Sequence, residues 1–432
     1  MTFAVGDARL QNVEIIRSLN ALSLPSRASL QLTNCKFYDN QYAVYSVNTG
    51  GQLNISTSSF ERNQYAVYIR AGQVNISTCS FERNRRALWM RDASAVVVED
   101  SHFTHNTYTI YVSVSNSLLI KRSKFVANKL QITTGSYGNG NESAAIEDCL
   151  FNSSELVIYE YSYYRSRTSS IVVANSTFES SDVSVSLLGT AADLNMSIIE
   201  CSFRRWVHHY QAVVYLSWQS LHSLTLAGNV FEENHGAPCI KIYVPEVSSY
   251  ITPGLITMVG NNFSNHSGAN VIVIDGNGYY HMQLRRNVFQ NPMVQFEIEV
   301  QLVWRSGYTI NASENWWGST NRTYIAERVK DVFFDSTKAK VSIASIYSDP
   351  EMTQLEVFPD LRTWNVADGT LIGGELDRNV TLTSSNSSYF VNKTIYIPRE
   401  FQLQLQENVT LHFAEQRGII VEGTYALYTG CD

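Results

Sequence analysis

The chain has 432 residues, a formal net charge of -7, 16% charged residues and 44% hydrophobic ones. A sparse, net-negative charge offers no basic field to a phosphate backbone and argues against nucleic acid as a partner, so surface polarity must come from Ser, Thr, Asn and Gln. No stretch reaches the roughly 18 apolar residues that cross a bilayer, and residues 1–25 lack the basic start and apolar run of a secretory leader.

From residue 37 onward the rings Phe37, Phe60, Phe81, Phe103, Phe125, Phe151, Phe178, Phe203, Phe231, Phe263, Phe289 and Trp317 recur, first every 21 to 23 residues and later every 25 to 32. Two positions before each ring stands a small or amide residue: Cys35, Ser58, Cys79, Ser101, Ser123, Cys149, Ser176, Cys201, Asn229, Asn261, Asn287 and Asn315. Three positions after the early rings come Asn40, Asn63, Asn84, Asn106 and Asn128. Around these markers apolar residues alternate with period two, as in Leu53/Ile55, Val74/Ile76, Val96/Val98 and Leu118/Ile120, which is a strand signal. One such unit cannot bury its apolar face alone, but stacked units can. The Leu-x-x-Leu-x-Leu frame of a leucine-rich horseshoe and the blade-length turns of a propeller are both missing. The pattern predicts an all-β, right-handed parallel β-helix of the pectin-lyase-like kind, with Asn in tight bends hydrogen-bonding its copy in the next coil.

In the strand after each Asn, Val44, Val67, Leu88 and Ile110 are expected to face inward. Their successors Tyr45, Tyr68, Trp89 and Tyr111 then face out, with Arg70 and Arg91 two residues further along. Rings stacked at coil spacing beside two guanidinium groups would form a flat platform for a sugar chain or a protein partner. The plainer alternative is that aromatics simply suit strands, or that a loop over 159–167 covers them.

Cys35 and Cys79, like Cys149 and Cys201, occupy equivalent positions two coils apart, beyond the ~7 Å reach of a disulfide. They are expected to be buried thiols, while Cys431 is the one candidate for a partner elsewhere. Later in the chain, residues 323–334 put Ile325, Val329 and Val332 on one helical face behind the capping candidates Thr320 and Asn321. Alternation resumes at 401–413. The expected organisation is a parallel β-helix over 1–322, a capping helix and closing strand over 323–350, a linker over 351–370 around Pro359 and Asp368-Gly369, and a truncated second β-helical module over 371–432.

Fourteen Asn-x-Ser/Thr sequons, at Asn54, Asn75, Asn141, Asn152, Asn175, Asn195, Asn262, Asn265, Asn311, Asn321, Asn379, Asn386, Asn392 and Asn408, give the density of a glycosylated ectodomain. Combined with the lack of a leader and a membrane span, they suggest a fragment of a longer cell-surface chain.

The repeated Asn-x-Phe rungs, the ENWWGS segment at Glu314–Ser319 followed by IAERVKDVFFD, and the IYIPREFQLQLQENVTLHFAEQRGIIVEG stretch together resemble the extracellular β-helix modules of the bark beetle (Anakonda) family of invertebrate epithelia. The resemblance covers most of the chain and is most specific over 310–423. It implies a parent protein that is large, single-pass and organises tricellular junctions, with protein or glycan partners at the cell surface and membrane contact only through an anchor outside this chain. The scavenger-receptor and lectin-like domains expected of a complete member are missing from this sequence, and the resemblance assigns no binding site.

The rival class is a carbohydrate-active enzyme, since polysaccharide lyases, hydrolases and epimerases share this fold. Their chemistry needs clustered carboxylates. Here Asp182, Asp193 and Asp275 are isolated in sequence and read as turn residues. His208-His209 point to opposite faces of a strand with no third ligand nearby, and Gly276-Asn277-Gly278 follows a strand without opening a helix. No catalytic residue, metal ligand or cofactor is therefore expected.

Overall fold

The computed structural model describes residues 7–25, 28–46, 51–134, 142–160, 167–187, 192–208, 211–218, 222–244, 254–268, 270–278, 280–303, 308–358, 360–367, 370–386 and 388–422. Each coil of the solenoid has three faces. In the coil of Phe81, the short strand Ser80–Glu82 forms the first face, and Arg86–Glu99 forms the second and third, bending where its register shifts between Met90 and Ala95. Short strands from successive coils make one 12-stranded parallel sheet, and the other two faces belong to a 24-stranded parallel sheet. The result is a right-handed parallel β-helix.

Its axis is a stack of rings. From Phe37 to Phe289 each Phe is buried and packs on the next with centroids 4.6 to 5.3 Å apart, and Trp317 closes the stack 4.9 Å from Phe289. The ladder begins one coil earlier than the aromatic series does, because Ile15 pairs in register with Phe37.

Two polar ladders flank the rings, each following a residue forced into the left-handed region. Arg83 (φ 51°) precedes Asn84, and Thr78 (φ 55°) precedes Cys79, a pattern that recurs coil after coil. Holding a non-glycine residue there costs about 1–2 kcal/mol, and the ladder supplies the compensation. Asn84 Oδ1 accepts from the backbone N–H of Asn63 at 2.9 Å and from Asn63 Nδ2 at 3.0 Å, while Asn84 Nδ2 donates to Phe60 O and to Asn106 Oδ1. The column continues through Ser154 and Ser181, is interrupted at Trp206, whose backbone N–H donates to Asn234 Oδ1, and resumes through Asn234, His266 and Asn291. In the other column the same bond forms wherever the acceptor is Ser or Asn, from Cys35 to Ser58, Cys79 to Ser101, Ser101 to Ser123, Cys149 to Ser176, Cys201 to Asn229 and on through Asn261, Asn287 and Asn315, while the thiols donate to backbone carbonyls.

Cys35, Cys79, Cys149, Cys201 and Cys239 are all buried free thiols, and Cys431 lies outside the described residues. The widening of the repeat is absorbed between strands of the second and third faces, as between Lys129–Thr134 and Glu142–Glu147 or between Ile240–Val244 and Leu255–Val259, and additionally at the first corner after Phe203.

The closing region differs from expectation in extent. The helix α1 spans only Arg322–Glu327, with Asn321 as N-cap accepting from the backbone N–H groups of Thr323 and Tyr324. Val329–Lys330 leaves the helical pattern to pair in parallel with Ile298–Glu299, so the offer of an open sheet overrides the helical periodicity at Val329 and Val332. The expected closing strand is Lys340–Ser342, paired with Thr309–Asn311.

Residues 351–370 are more ordered than a linker requires. Leu355–Val357 pairs antiparallel with Ser345–Tyr347, Phe358 joins the main core, and Asp360, Arg362 and Trp364 are buried. Arg362 donates to Asp331 at 2.7 Å and lies over the Phe333 ring. Pro359 and Asp368-Gly369 fall outside the described residues.

From Leu371 the chain again winds with parallel pairings, Leu371–Ile372 on Phe390–Val391 and Ser388–Val391 on Thr410–Phe413, around a second core of Ile372, Leu382, Val391 and Ile395. The alternating 401–413 stretch is two strands, Leu403–Leu405 and Thr410–Phe413, broken by a turn at Asn408 (φ 64°).

Candidate functional site

A four-residue unit repeats where successive coils enter the second face: Tyr42-Ala43-Val44-Tyr45, Tyr65-Ala66-Val67-Tyr68, Arg86-Ala87-Leu88-Trp89 and Tyr108-Thr109-Ile110-Tyr111. Both central residues of every unit are buried. The first and fourth, three apart, therefore both emerge outward, where strict alternation would have sent the first inside with Val44. The register records this departure, since Tyr42 pairs with Tyr65 and Val44 with Val67 while the alanines between are skipped.

Tyr45, Tyr68, Trp89 and Tyr111 thus lie in register on the outer surface, as the sequence predicts, and Arg70 and Arg91 stand exposed in register beside them. A second column, Tyr42, Tyr65, Arg86 and Tyr108, runs alongside, and alternation alone could not reveal it. The recurring Y-A-V-Y tetrad was the available signal.

The rings do not form the flat platform expected. Tyr42 and Tyr65 are parallel to within 11° with centroids 4.7 Å apart, and Tyr45 and Tyr68 are stacked at 5.4 Å. Rings that close and that parallel must overlap like shingles. Trp89 and Tyr111 overlap further, at 4.0 Å. Across the columns Tyr42 meets Tyr45, and Tyr65 meets Tyr68, edge to face. The guanidinium of Arg86 takes the place of a ring, 4.1 Å from the Trp89 centroid and 4.9 Å from that of Tyr65, with its Nε buried and without a hydrogen-bond partner among the described residues. What faces outward is a ridge of ring edges, phenol hydroxyls and guanidinium groups. Residues 161–166, the centre of the loop that could have covered it, lie outside the described residues.

The described charged side chains of the ridge are cationic. Ring edges carry the positive part of the aromatic quadrupole. Among the described side chains of residues 42–46, 65–70, 85–91 and 107–112, Arg70, Arg85, Arg86 and Arg91 are cationic and none is anionic. At the corner before the ridge Asp39 and Glu61 pair with Arg62, and Glu82 with Arg83, while the side chain of Asp92, next to Arg91, lies outside the described residues. Burial, then the neighbouring phenols, push the Tyr42 hydroxyl above its ordinary pKa, which keeps it a donor.

Asp182 is not isolated, contrary to its sequence reading. It sits in register with Glu155, which pairs with Lys129 at 2.8 Å, and it accepts a hydrogen bond from Gln211. Burial, then the Glu155 charge, push its carboxyl up to about 7. Coil register brings these carboxylates together across 27 positions, the same separation as between Phe151 and Phe178, so both stand four residues past their ring. Asp182 is only 4% exposed, so the pair is closed to a substrate.

His208 is exposed, stacks on Trp206 and accepts from the backbone N–H of Gln211, whereas His209 lies outside the described residues. Asp275 sits 3.6 Å from Lys241, and the Asp193 side chain is not described. Gly276 (φ 113°) ends a strand where a Cβ would meet the Val244 carbonyl at 1.9 Å, so it serves the backbone. Among the described residues no group of three or more His, Cys, Asp or Glu is arranged to hold a metal, and no helix is long and apolar enough to cross a membrane.

The sequons Asn54, Asn75, Asn152, Asn175, Asn195, Asn262, Asn265, Asn311, Asn321, Asn379, Asn392 and Asn408 are all exposed or half-exposed, and Asn54 and Asn75 lie on the third face, away from the ridge. Asn141 lies outside the described residues, as does the Asn386 side chain.

Fold and surface together define a right-handed parallel β-helix carrying an outward aromatic and arginine ridge. A family model described as right handed beta helix region matches residues 3–151, the stretch that contains the ridge. No curated protein and no solved structure matches the chain.

Proposed function

We propose that the chain is a non-enzymatic recognition and adhesion scaffold of the extracellular surface, working as a glycoprotein module of a membrane-anchored protein at epithelial cell junctions. The observation that carries the recognition role is the ridge: aromatic and Arg side chains, which dominate binding hot spots, are held outward in register on a rigid core. The extracellular and junctional setting rests on sequon density, on the surface position of every described sequon side chain, and on the resemblance of the closing region to the bark beetle family. The thiols do not bear on compartment, because their ladder position keeps them apart.

The test is binding of the purified chain to epithelial cells, and aggregation of beads coated with it. Tyr68→Ala with Trp89→Ala should reduce both while leaving the thermal melt unchanged. Undiminished binding by the double variant removes the ridge from the function.

A second reading, a carbohydrate-active enzyme, has the Glu155–Asp182 pair in its favour, since two carboxylates with different protonation are the equipment of glycosidic acid–base chemistry. The burial of Asp182 counts against it. Release of new reducing ends or unsaturated products from uronans, abolished in Asp182→Asn, would establish that reading instead.

A further inference from the structure

We infer that the third face is glycosylated at Asn54, Asn75, Asn175, Asn195 and Asn311, and that these glycans lie over an aliphatic strip on which the rod would otherwise self-associate. The inference rests on the glycoprotein reading proposed above and states which sites are modified and what the modification does.

Register builds the strip. On the third face the outward side chains Val97, Leu119, Ala145 and Val172 stack on successive coils. Two residues further along the strands, Ala174, Ile199, Ala227 and Val259 do the same. The columns join where Val172 and Ala174 leave one strand on the same side. All of these side chains are half-exposed, while those between them, such as Ile171, Val173 and Ile198, are buried. Seven coils at about 4.8 Å each make a strip roughly 29 Å long. Its second column is bounded by ion pairs, Lys121 with Glu147 before Ala174 and Arg285 with Glu314 after Val259. A flat aliphatic sheet face is a surface on which another sheet packs, and monomeric proteins rarely leave one uncovered.

The sequons identify what covers it. The first column runs in register into Asn75 and Asn54 at one end. At the other it passes through Ser197, Thr225, Thr257 and Gln283 to Asn311. Asn175 directly follows Ala174 and is exposed at the corner, with φ 49°. Asn195 leaves its strand on the same side as Ile199. Every part of the strip therefore has an attachment point beside it, whereas no described sequon lies on the second face, and the aromatic ridge stays clear. A sugar suits both needs, since its C–H faces pack on aliphatic side chains while its hydroxyls meet water.

The amides are free to react. Asn75 Nδ2 gives one N–H to Asn54 Oδ1 at 2.9 Å, which leaves its second N–H for substitution. The donor is a diphosphate-linked oligosaccharide: the bond from sugar C1 to Nδ2 forms, the bond from C1 to the phosphate oxygen breaks, and the displaced amide proton leaves with the diphosphate. The Asn75–Asn54 hydrogen bond survives that exchange.

The experiment directs the whole chain into the secretory pathway of insect cells and reads the occupancy of each sequon by glycopeptide mass spectrometry. Two stripped forms follow: the variant Asn54→Gln, Asn75→Gln, Asn175→Gln, Asn195→Gln, Asn311→Gln, and the folded glycoprotein trimmed by an endoglycosidase, which needs no refolding. The five sites should be occupied. Both stripped forms should sediment as oligomers and raise the fluorescence of the apolar-surface dye ANS about threefold. Asn152→Gln with Asn262→Gln, on the first face, should change neither readout, and Val172→Thr with Ile199→Thr should return the five-site variant to a monomer. The shield is overturned, with the glycoprotein reading intact, if Asn152 or Asn262 is occupied while the five sites are empty, or if the trimmed protein stays monomeric without a gain in dye binding. Empty sites at all fourteen sequons overturn both.

Discussion

Asn84 offers the sharpest test of what holds the coils together. Its side chain makes four hydrogen bonds inside the solenoid, two as acceptor from Asn63 and two as donor to Phe60 O and Asn106 Oδ1. Asn84→Ala leaves the buried Asn63 backbone N–H without its side-chain acceptor and strips a partner from three further groups. A stranded buried polar group costs about 1–3 kcal/mol. Allowing for relaxation, the alanine variant should lose roughly 3–5 kcal/mol. Asn84→Ser should lose far less, about 1–2 kcal/mol, because serine already does this work downstream: Ser154 Oγ accepts from the Asn128 N–H and donates to Asn152 O. Asn84→Asp keeps shape and acceptor but turns an oxygen toward Phe60 O and Asn106 Oδ1, so it should fall nearer to alanine than to serine. Urea denaturation followed by far-UV circular dichroism, with hydrogen exchange at Asn63 as the local readout, measures the series. Equal stability for the alanine and serine variants would refute the ladder as a source of coil cohesion.

Phe263→Ala, between rings 4.9 and 5.3 Å away, should cost about 3–5 kcal/mol by the same measurement, and an unchanged midpoint would remove the ring stack from the core. Burial pushes the thiols of Cys79 and Cys201 up to about 11 and that of Cys149 up to about 12, so labelling at pH 8 should require denaturant; a Cys35–Cys79 or Cys149–Cys201 peptide in a non-reducing digest would overturn the register. Asp182 has a folded pKa raised to about 7 against about 3.9 unfolded, so between those values the folded state holds the extra proton and this group's contribution to stability falls as pH rises. Asp182→Asn should therefore gain on the parent chain between pH 5 and pH 8, and a difference that does not change with pH contradicts the burial of that carboxyl.

The inside of the molecule was legible in the sequence and the outside only in part. Rings, small residues and amides repeat because each inward position meets its own copy one coil away, so selection by packing leaves a periodic trace that needs no partner to be seen. Ile15 escaped because an aliphatic side chain can start a ring stack as well as a ring can. Tyr42, Tyr65, Arg86 and Tyr108 escaped because two consecutive buried residues, such as Ala43 and Val44, break the alternation that predicts which side chains emerge. The helix at Arg322–Glu327 was placed correctly but made too long, since periodicity cannot see that Ile298–Glu299 offers a sheet edge to Val329–Lys330. Glu155 and Asp182 each stand four residues past an in-register ring, Phe151 and Phe178, so their meeting was legible in the aromatic series once acids were aligned on it.

The separation of inside from outside bears on how such a chain evolves a surface. In a solenoid each repeat contacts only its neighbours, so cohesion is local and comes from parallel strand pairing, from the inward aliphatic and ring ladders and from the two polar ladders. Outward positions on the second face are then less constrained by the core, while insertions accumulate where the second face meets the third. The ridge lies in the coils least altered in this way. Tyr45, Tyr68, Trp89 and Tyr111 pair in unbroken register over four coils, whereas the same column continues as Gln131, Val157 and Ser184 once the coils lengthen. On the proposed recognition role, four coils that keep half-buried outward rings while the next three carry none in that column are the trace that selection for contact at that place on the rod would leave.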